Sequence, residues 1–302
     1  MQDPAGLYRL ETDIDLADAK APVLIVALAG FFDAGAAQSL VVRHLMERLD
    51  HRVVATFDVD QVLDYRGRRP AMTFNADHWG DYDDPTLALY RFIDDVGTPF
   101  LLLSGPEPDY QWERCVEAVR QLIVLLGVEV VVTAHGIPMA VPHTRPLGVS
   151  FHATDPKRRA DHTPLFGTVT VPGSLASLLE LRLGESGVDA CGVAVYVPHY
   201  LAQSDFPPAA VTALDHLAEQ TGLKIPDSAL RLAAAETMKV VATELEGSPD
   251  AAELVKSLER QYDTRTEEPS PGEVLLDPDG KVPTADQLGA EFEAFLRDEA
   301  GS

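Results

Sequence analysis

The chain has 302 residues, room for one large α/β domain or a main domain with an appendage, 46% of them hydrophobic, enough for a sizeable core, and its 48 acidic against 24 basic side chains give a net charge of −24. A field of that sign repels phosphate backbones and anionic lipid, so no nucleic acid and no membrane surface is expected as a partner. Apolar runs 23–32 and 122–132 are shorter than the ~20 residues of a spanning helix, the acidic start lacks a signal-peptide pattern, and the lone Cys115 and Cys191 suit a reducing compartment, so a cytoplasmic protein is expected.

In chain order, VLIVALA (23–29) is a continuous apolar run, as in a strand covered on both faces. GFFDAG (30–35) follows, then a helix whose apolar positions Ala37, Leu40, Val41, Leu45 and Leu49 recur every three or four residues, with Asp33 placed to cap it. Strand 52–59 is expected to complete a βαβ unit. The connection 64–85 is long and without predicted structure of its own, a pattern common in lids and binding loops. Strand 99–105 leads to a helix carrying Trp112, Cys115, Val119, Leu122 and Leu126. Strand 128–134 runs into TAHGIPMAVPHTRP (133–146), where Pro138 and Pro142 are expected to project a loop, with His135 just beyond the strand's carboxyl end. A helix at 174–184 begins on Ser174, a buried strand occupies 191–198, and a helix occupies 207–222.

This alternation predicts a three-layer αβα sandwich with a mostly parallel sheet over residues 1–225. Residues 226–302 are expected to form a helical extension. Helices 227–247 and 249–263 meet at Ser248-Pro249, a loop rich in Pro, Gly and acids spans 264–283, and a last helix opens on Thr284-x-x-Gln287.

Chemistry is harder to find. Gly30 to Gly35 forms a glycine-rich turn into a helix, a place where anions bind, yet it is neither GxGxxG nor a Walker loop, and the Asp33 carboxylate would occupy the anion's position. Arg66, Arg68 and Arg69 could grip a carboxylate or phosphate. A subunit interface or internal acidic partners use them equally well, and Tyr65, Trp79 and Tyr82 lie close by in sequence. Glu107 and Asp109 follow the third strand and could act as base or metal ligand, although helix capping by Asp109 accounts for it. His135, His143, His152 and His162 recur at intervals that suit no compact metal motif, and no GxSxG or HExxH occurs. No catalytic residue, metal or cofactor is therefore assigned. If a ligand pocket exists at the strand ends, Gly30, Asp33, Gly35, Arg66, Arg69, Glu107, His135, His143 and Arg145 are its candidate lining, and Tyr65, Arg68, Trp79 and Tyr82 are candidate interface residues.

GFFDAG after the first strand, DYRGRRP after the second, LSGPEPD after the third and TAHGIPMAVPHTRP after the fourth together resemble the PAC2 family of proteasome-assembly-chaperone-like proteins, in its actinobacterial branch. The resemblance covers about residues 20 to 225. It implies an αβα sandwich similar to purine nucleoside phosphorylases and related hydrolases, self-association, and, for eukaryotic and archaeal relatives, a chaperone role in proteasome building. Assembly chaperones of this kind often end in a hydrophobic-Tyr-X motif; here the nearest triplet, Gln261-Tyr262-Asp263, is internal, so docking by that route is not expected. The expected partners are the chain itself, as a homo-oligomer such as a trimer, and proteasome subunits or other proteins. The leading expectation is a non-enzymatic protein-binding protein of assembly-chaperone type. The alternative is a binder of, or phosphorylase- or hydrolase-like enzyme for, a nucleoside or anionic metabolite.

Overall fold

The computed structural model describes residues 2–267, apart from Phe31, Asp161, Thr163, Leu165 and Phe166. Among the described residues ten strands are present in chain order: β1 (Tyr8–Leu10), β2 (Val23–Ala29), β3 (His51–Phe57), β4 (Met72–Asn75), β5 (His78–Tyr82), β6 (Ala88–Ile93), β7 (Pro99–Pro106), β8 (Val130–Met139), β9 (Val149–Ala153) and β10 (Asp189–Pro198). The helices are α1 (Leu16–Ala19), α2 (Ala37–Arg48), α3 (Trp112–Leu126), α4 (Pro156–Arg159), α5 (Leu175–Glu185), α6 (Pro207–Thr221), α7 (Ser228–Glu246) and α8 (Pro249–Glu267).

Eight strands form one sheet in the order β1-β3-β6-β7-β2-β8-β10-β9. The central neighbours β7, β2, β8 and β10 are parallel, while β1, β6 and β9 run against them, so the sheet is mixed and mostly parallel. Alternate side chains of the apolar strands feed two cores. Leu24, Val26, Leu101, Leu103 and Val131 pack against α3 and α5 on one face, and Val23, Ile25, Leu102, Val132 and Val193 pack against α2 and α6 on the other. Each fully buried Leu or Val contributes about 1.5–3 kcal/mol, which is why these continuous apolar runs settle in the centre of the sheet. The architecture is therefore the expected three-layer αβα sandwich. Beyond residue 225, α7 lies on α6 and adds Leu230 to the second core, and α8 turns back against α7.

Several local expectations are corrected. Strand β3 does not pair with β2; it lies beyond β6 and β7 and pairs antiparallel with β1 and β6. The connection 64–85 is not structureless, because β4 and β5 form a separate exposed hairpin. Strand β8 does not stop at Ala134. It continues through His135 and Pro138 to Met139, paired throughout with β10. Its ladder with β2 ends at Thr133, so farther on one flank carries no ladder bonds, and a proline there removes none. Helix α8 reaches Glu267, so the first residues assigned to the 264–283 loop are helical. The rest of that loop, the helix opening on Thr284 and the end of the chain lie outside the described residues.

Candidate functional site

A cleft of about 70 Å³ opens between the carboxyl edge of the sheet and α5. Sheet register builds its floor. Thr133, Gly192 and His152 form one cross-strand row on β8, β10 and β9, and His135, Ala194 and Ser150 form the row two residues on. Small residues on the middle strand make this surface concave. A methyl group on Gly192 would run into Thr133 Oγ1 and the His152 ring. The roof comes from α5, where Ser174, Ser177 and Glu180 recur every three residues and so share a face.

Each polar group of this roof has a job. Ser174 caps α5 by accepting from Ser177 N at 3.1 Å, and the two serine hydroxyl groups lie 2.9 Å apart. Glu107, buried immediately after β7, accepts from Leu175 N at 2.6 Å. The first turn of α5 is thus already satisfied by the chain's own oxygen atoms. His152 Nδ1 meets the Glu180 carboxylate at 2.8 Å, which orients the ring and holds the proton on that nitrogen.

His135 differs from its neighbours. Its ring makes no hydrogen bond among the described residues, and it lines the cleft. Desolvation, with a smaller push from His152, lowers its pKa to about 4, against opposing effects of Asp33 and Glu180. At neutral pH it is an uncharged imidazole, able to accept one hydrogen bond and donate another. The serine hydroxyl groups bond to each other and to α5 rather than to a histidine, so no serine–histidine relay is formed among the described residues. No group of three or more metal-ligating side chains comes together among them either. Cys115 and Cys191 are buried, and desolvation pushes both thiols up to about 11, which makes them poor nucleophiles. The cleft can hold a small polar group between neutral His135 and the His152–Glu180 pair.

The structure brings only Glu107 and His135 of the candidate pocket residues into this cleft. Asp33 stands at its border, with its carboxylate accepting from Gln38 N at 2.7 Å and Ser39 N at 2.9 Å, so the start of α2 is occupied by an internal anion. Gly30 has φ 146°, and the Arg68 guanidinium covers it, leaving no room for a side chain. Gly35 sits at φ 65° in the turn into α2. Arg66 and Arg69 are exposed and do not line the cleft. His143 and Arg145 lie elsewhere. The ring of His143 contacts the Tyr200 hydroxyl at 2.6 Å, and Arg145 pairs with Glu259 and Asp263 of α8.

Of the candidate interface residues, Arg68 is tied internally, donating to the Glu107 carbonyl at 2.8 Å and pairing with Asp109 at 2.8 Å. Asp109 therefore clamps two loops and does not cap α3, whose N-cap is Gln111. Tyr65 donates to Asp60 at 2.7 Å. Trp79 and Tyr82 stand exposed on the β4–β5 hairpin. Sequence reasoning missed Thr133, Gln38, Ser177 and Glu180. Only Ser177 and Glu180 are marked at all, by their three-residue spacing from Ser174, and a capping serine explains that equally well.

These features define an αβα sandwich with a small polar cleft at the carboxyl edge of its sheet. The chain belongs to the PAC2 family, whose sequence pattern matches residues 27–245. It is similar to a protein of unknown function from Mycobacterium tuberculosis, at 44% identity over 87% of this chain and 90% of that one, with a TM-score of 0.81. A protein of unknown function from Corynebacterium glutamicum is 37% identical over 87% of this chain and 98% of its own, also with a TM-score of 0.81. A proteasome-assembly chaperone homologue from Mycobacterium tuberculosis shares the fold at 22% identity and a TM-score of 0.71, covering 77% of this chain and 99% of that one. No curated protein matches the chain. No helix among the described residues is long and apolar enough to cross a membrane.

Proposed function

We propose that this protein is a non-enzymatic, self-associating protein-binding member of the PAC2 family, acting in assembly of the proteasome kind. The observation that carries the reading is the β4–β5 hairpin. It stands outside both cores yet exposes Met72, Phe74, Trp79 and Tyr82, at 51, 56, 64 and 45%. Large apolar side chains gathered on one projecting element are unusual on a soluble monomer, and aromatic residues and Met are enriched at interface centres. Phe74 and Trp79 already pack edge to face with centroids 4.9 Å apart, so little side-chain freedom remains to be lost on docking. The family membership and the fold shared with the proteasome-assembly chaperone homologue support the assembly role.

Light scattering of the full chain at micromolar concentration tests self-association. An oligomer is expected for the native chain and a monomer for Trp79→Glu, with little change in melting temperature because the hairpin lies off the core. A native chain that is monomeric, or a Trp79→Glu variant that stays fully assembled, counts against the hairpin as the contact. Co-purification of proteasome subunits with the native chain but not the variant is the expected sign of the assembly role.

The cleft favours a second reading, a small-molecule binder, through the unpartnered ring of His135. That reading expects a polar metabolite to raise the melting temperature of the native chain and leave that of His135→Ala unmoved. A broad metabolite screen without such a hit removes it.

A further inference from the structure

Far from the polar cleft, a second depression of about 630 Å³ opens beside α1, where β3 and β7 begin and β6 ends. Its polar lining is Asp18, Lys20, Asp50, His51, Arg52 and Arg91. In the antiparallel register of β3 and β6, Arg52 stands directly opposite Arg91. Like charges facing each other across an antiparallel pair are destabilising. The Arg91 Nε is buried and has no hydrogen-bond partner among the described residues. Among the described residues Arg52 reaches only a backbone oxygen, that of Asp18, at 3.3 Å. Neither arginine, nor Lys20, forms an ion pair among the described residues, although Asp18 and Asp50 share the wall.

The chain holds two acids for every base, and Arg43, Arg120, Arg158, Arg182 and Arg231 each meet a carboxylate, whereas Arg9, Arg48, Arg66, Arg69 and Arg159, like Arg52 and Arg91, form no ion pair among the described residues. What sets Arg52 and Arg91 apart is that they face each other across the ladder. Arg52 and Arg91 thus face each other with no carboxylate in ion-pair contact among the described residues, in a depression that Lys20, Asp18 and Asp50 also line. An unsatisfied buried donor and a like-charge pair are both destabilising, and one oxyanion seated between the two guanidinium groups would relieve both. Guanidinium forks match the geometry of phosphate oxygens, and the depression is of small-molecule size. Ala17, Ile93 and Pro99 supply apolar wall for the remainder of such a ligand.

We propose that Arg52, Arg91 and Lys20 form a binding site for the phosphate group of a small phosphorylated compound, separate from the cleft under α5 and independent of the hairpin. Burial, and then the Arg52 charge, lower the basicity of Arg91 against a smaller opposing effect of Asp18, and a bound anion would add to that opposition.

Inorganic phosphate is the probe, added to the full chain in a thermal melt and in titration calorimetry, with sodium chloride at matched ionic strength as control. Saturating phosphate is expected to raise the melting temperature by about 4 °C or more over chloride. Arg91→Met is expected to abolish that rise and, in chloride, to melt no lower than the native chain, since it removes a repulsion. Arg91→Lys keeps the charge but loses the fork, and should weaken phosphate binding about tenfold. The proposal is overturned if phosphate does no more than chloride, or if Arg91→Met keeps the phosphate response. It is also overturned if Arg91→Met fails to fold while Arg91→Lys binds phosphate as the native chain does.

Discussion

Arg145 and Asp263, 118 residues apart, form a two-point ion pair, Nε to Oδ1 at 2.8 Å and Nη2 to Oδ2 at 2.8 Å. The contact fastens α8 to the segment after β8. Glu259 reinforces it by accepting from both Thr144 and Arg145, and the Tyr262 hydroxyl donates to the Pro146 carbonyl at 3.0 Å. Beneath, the Tyr262 ring packs on Met139, Val141 and Tyr196. Tyr262 and Asp263 of the internal triplet are thus committed to the chain's own surface, and so is the His- and Arg-rich stretch that precedes them.

The strap should come off in parts. Because the Arg145–Asp263 pair is open to solvent, Asp263→Asn is expected to lower stability only slightly. Tyr262→Ala removes apolar cover and should cost about 1–2 kcal/mol, confined to this region. Hydrogen exchange resolves the two scales: amides of α8 and of residues 139–146 should exchange faster in Tyr262→Ala, with β2 and β7 unchanged. Equal acceleration in those central strands would show that α8 belongs to the global core and is no separable strap.

A second expectation concerns acid. His135 titrates at about 4 in the fold against about 6.5 in an unfolded chain. Between these values the unfolded state binds more protons, so stability rises with pH there. The contribution is fully present above about pH 6.5 and is lost as pH falls toward 4, by up to about 3 kcal/mol. His143 and His199 are also lowered by burial and add slope of the same sign, so the difference between chains is the informative quantity. Urea midpoints of the native chain and His135→Asn, compared between about pH 7 and about pH 4.5, should converge as the pH drops. A parallel pair of curves would place His135 in contact with water.

Most of the sandwich is legible in the sequence because its central strands are buried on both faces and read as unbroken apolar runs. VLIVALA, PFLLLSG and CGVAVYVP all lie at the centre of the sheet. The reversed strands are not legible. Strand β6 (Ala88–Ile93) and strand β9 (Val149–Ala153) are short, follow polar stretches, and are defined by what they pair with. The cleft is less legible still. His152 and Glu180 lie 28 residues apart, on a strand and a helix, and only β9 joining the edge of β10 brings them together. Arg145 shows the opposite failure. Its residue type and neighbours suggest a ligand, but α8 supplies the carboxylates first.

Gly136 offers the sharpest test of how the cleft is held. It follows His135 on β8, and a methyl group there would run into the Ala34 carbonyl oxygen and stand 3.1 Å from Val197 Cγ2. Both obstacles are rigid, one being backbone and the other a side chain fully buried on β10. Accommodating the methyl group therefore means lifting the turn that carries Ala34 off the strand, and Asp33 with it. Gly136→Ala should cost about 2–3 kcal/mol, whereas Gly173→Ala, whose nearest obstacle is a Trp112 ring carbon at 3.9 Å, should be close to neutral. Lifting the turn also admits water to the neighbouring ring, so the His135 pKa, followed by NMR, should climb from about 4 toward its ordinary value in Gly136→Ala. Destabilisation with an unmoved His135 would mean that the strand gives way instead of the turn, and that the cleft does not depend on this contact.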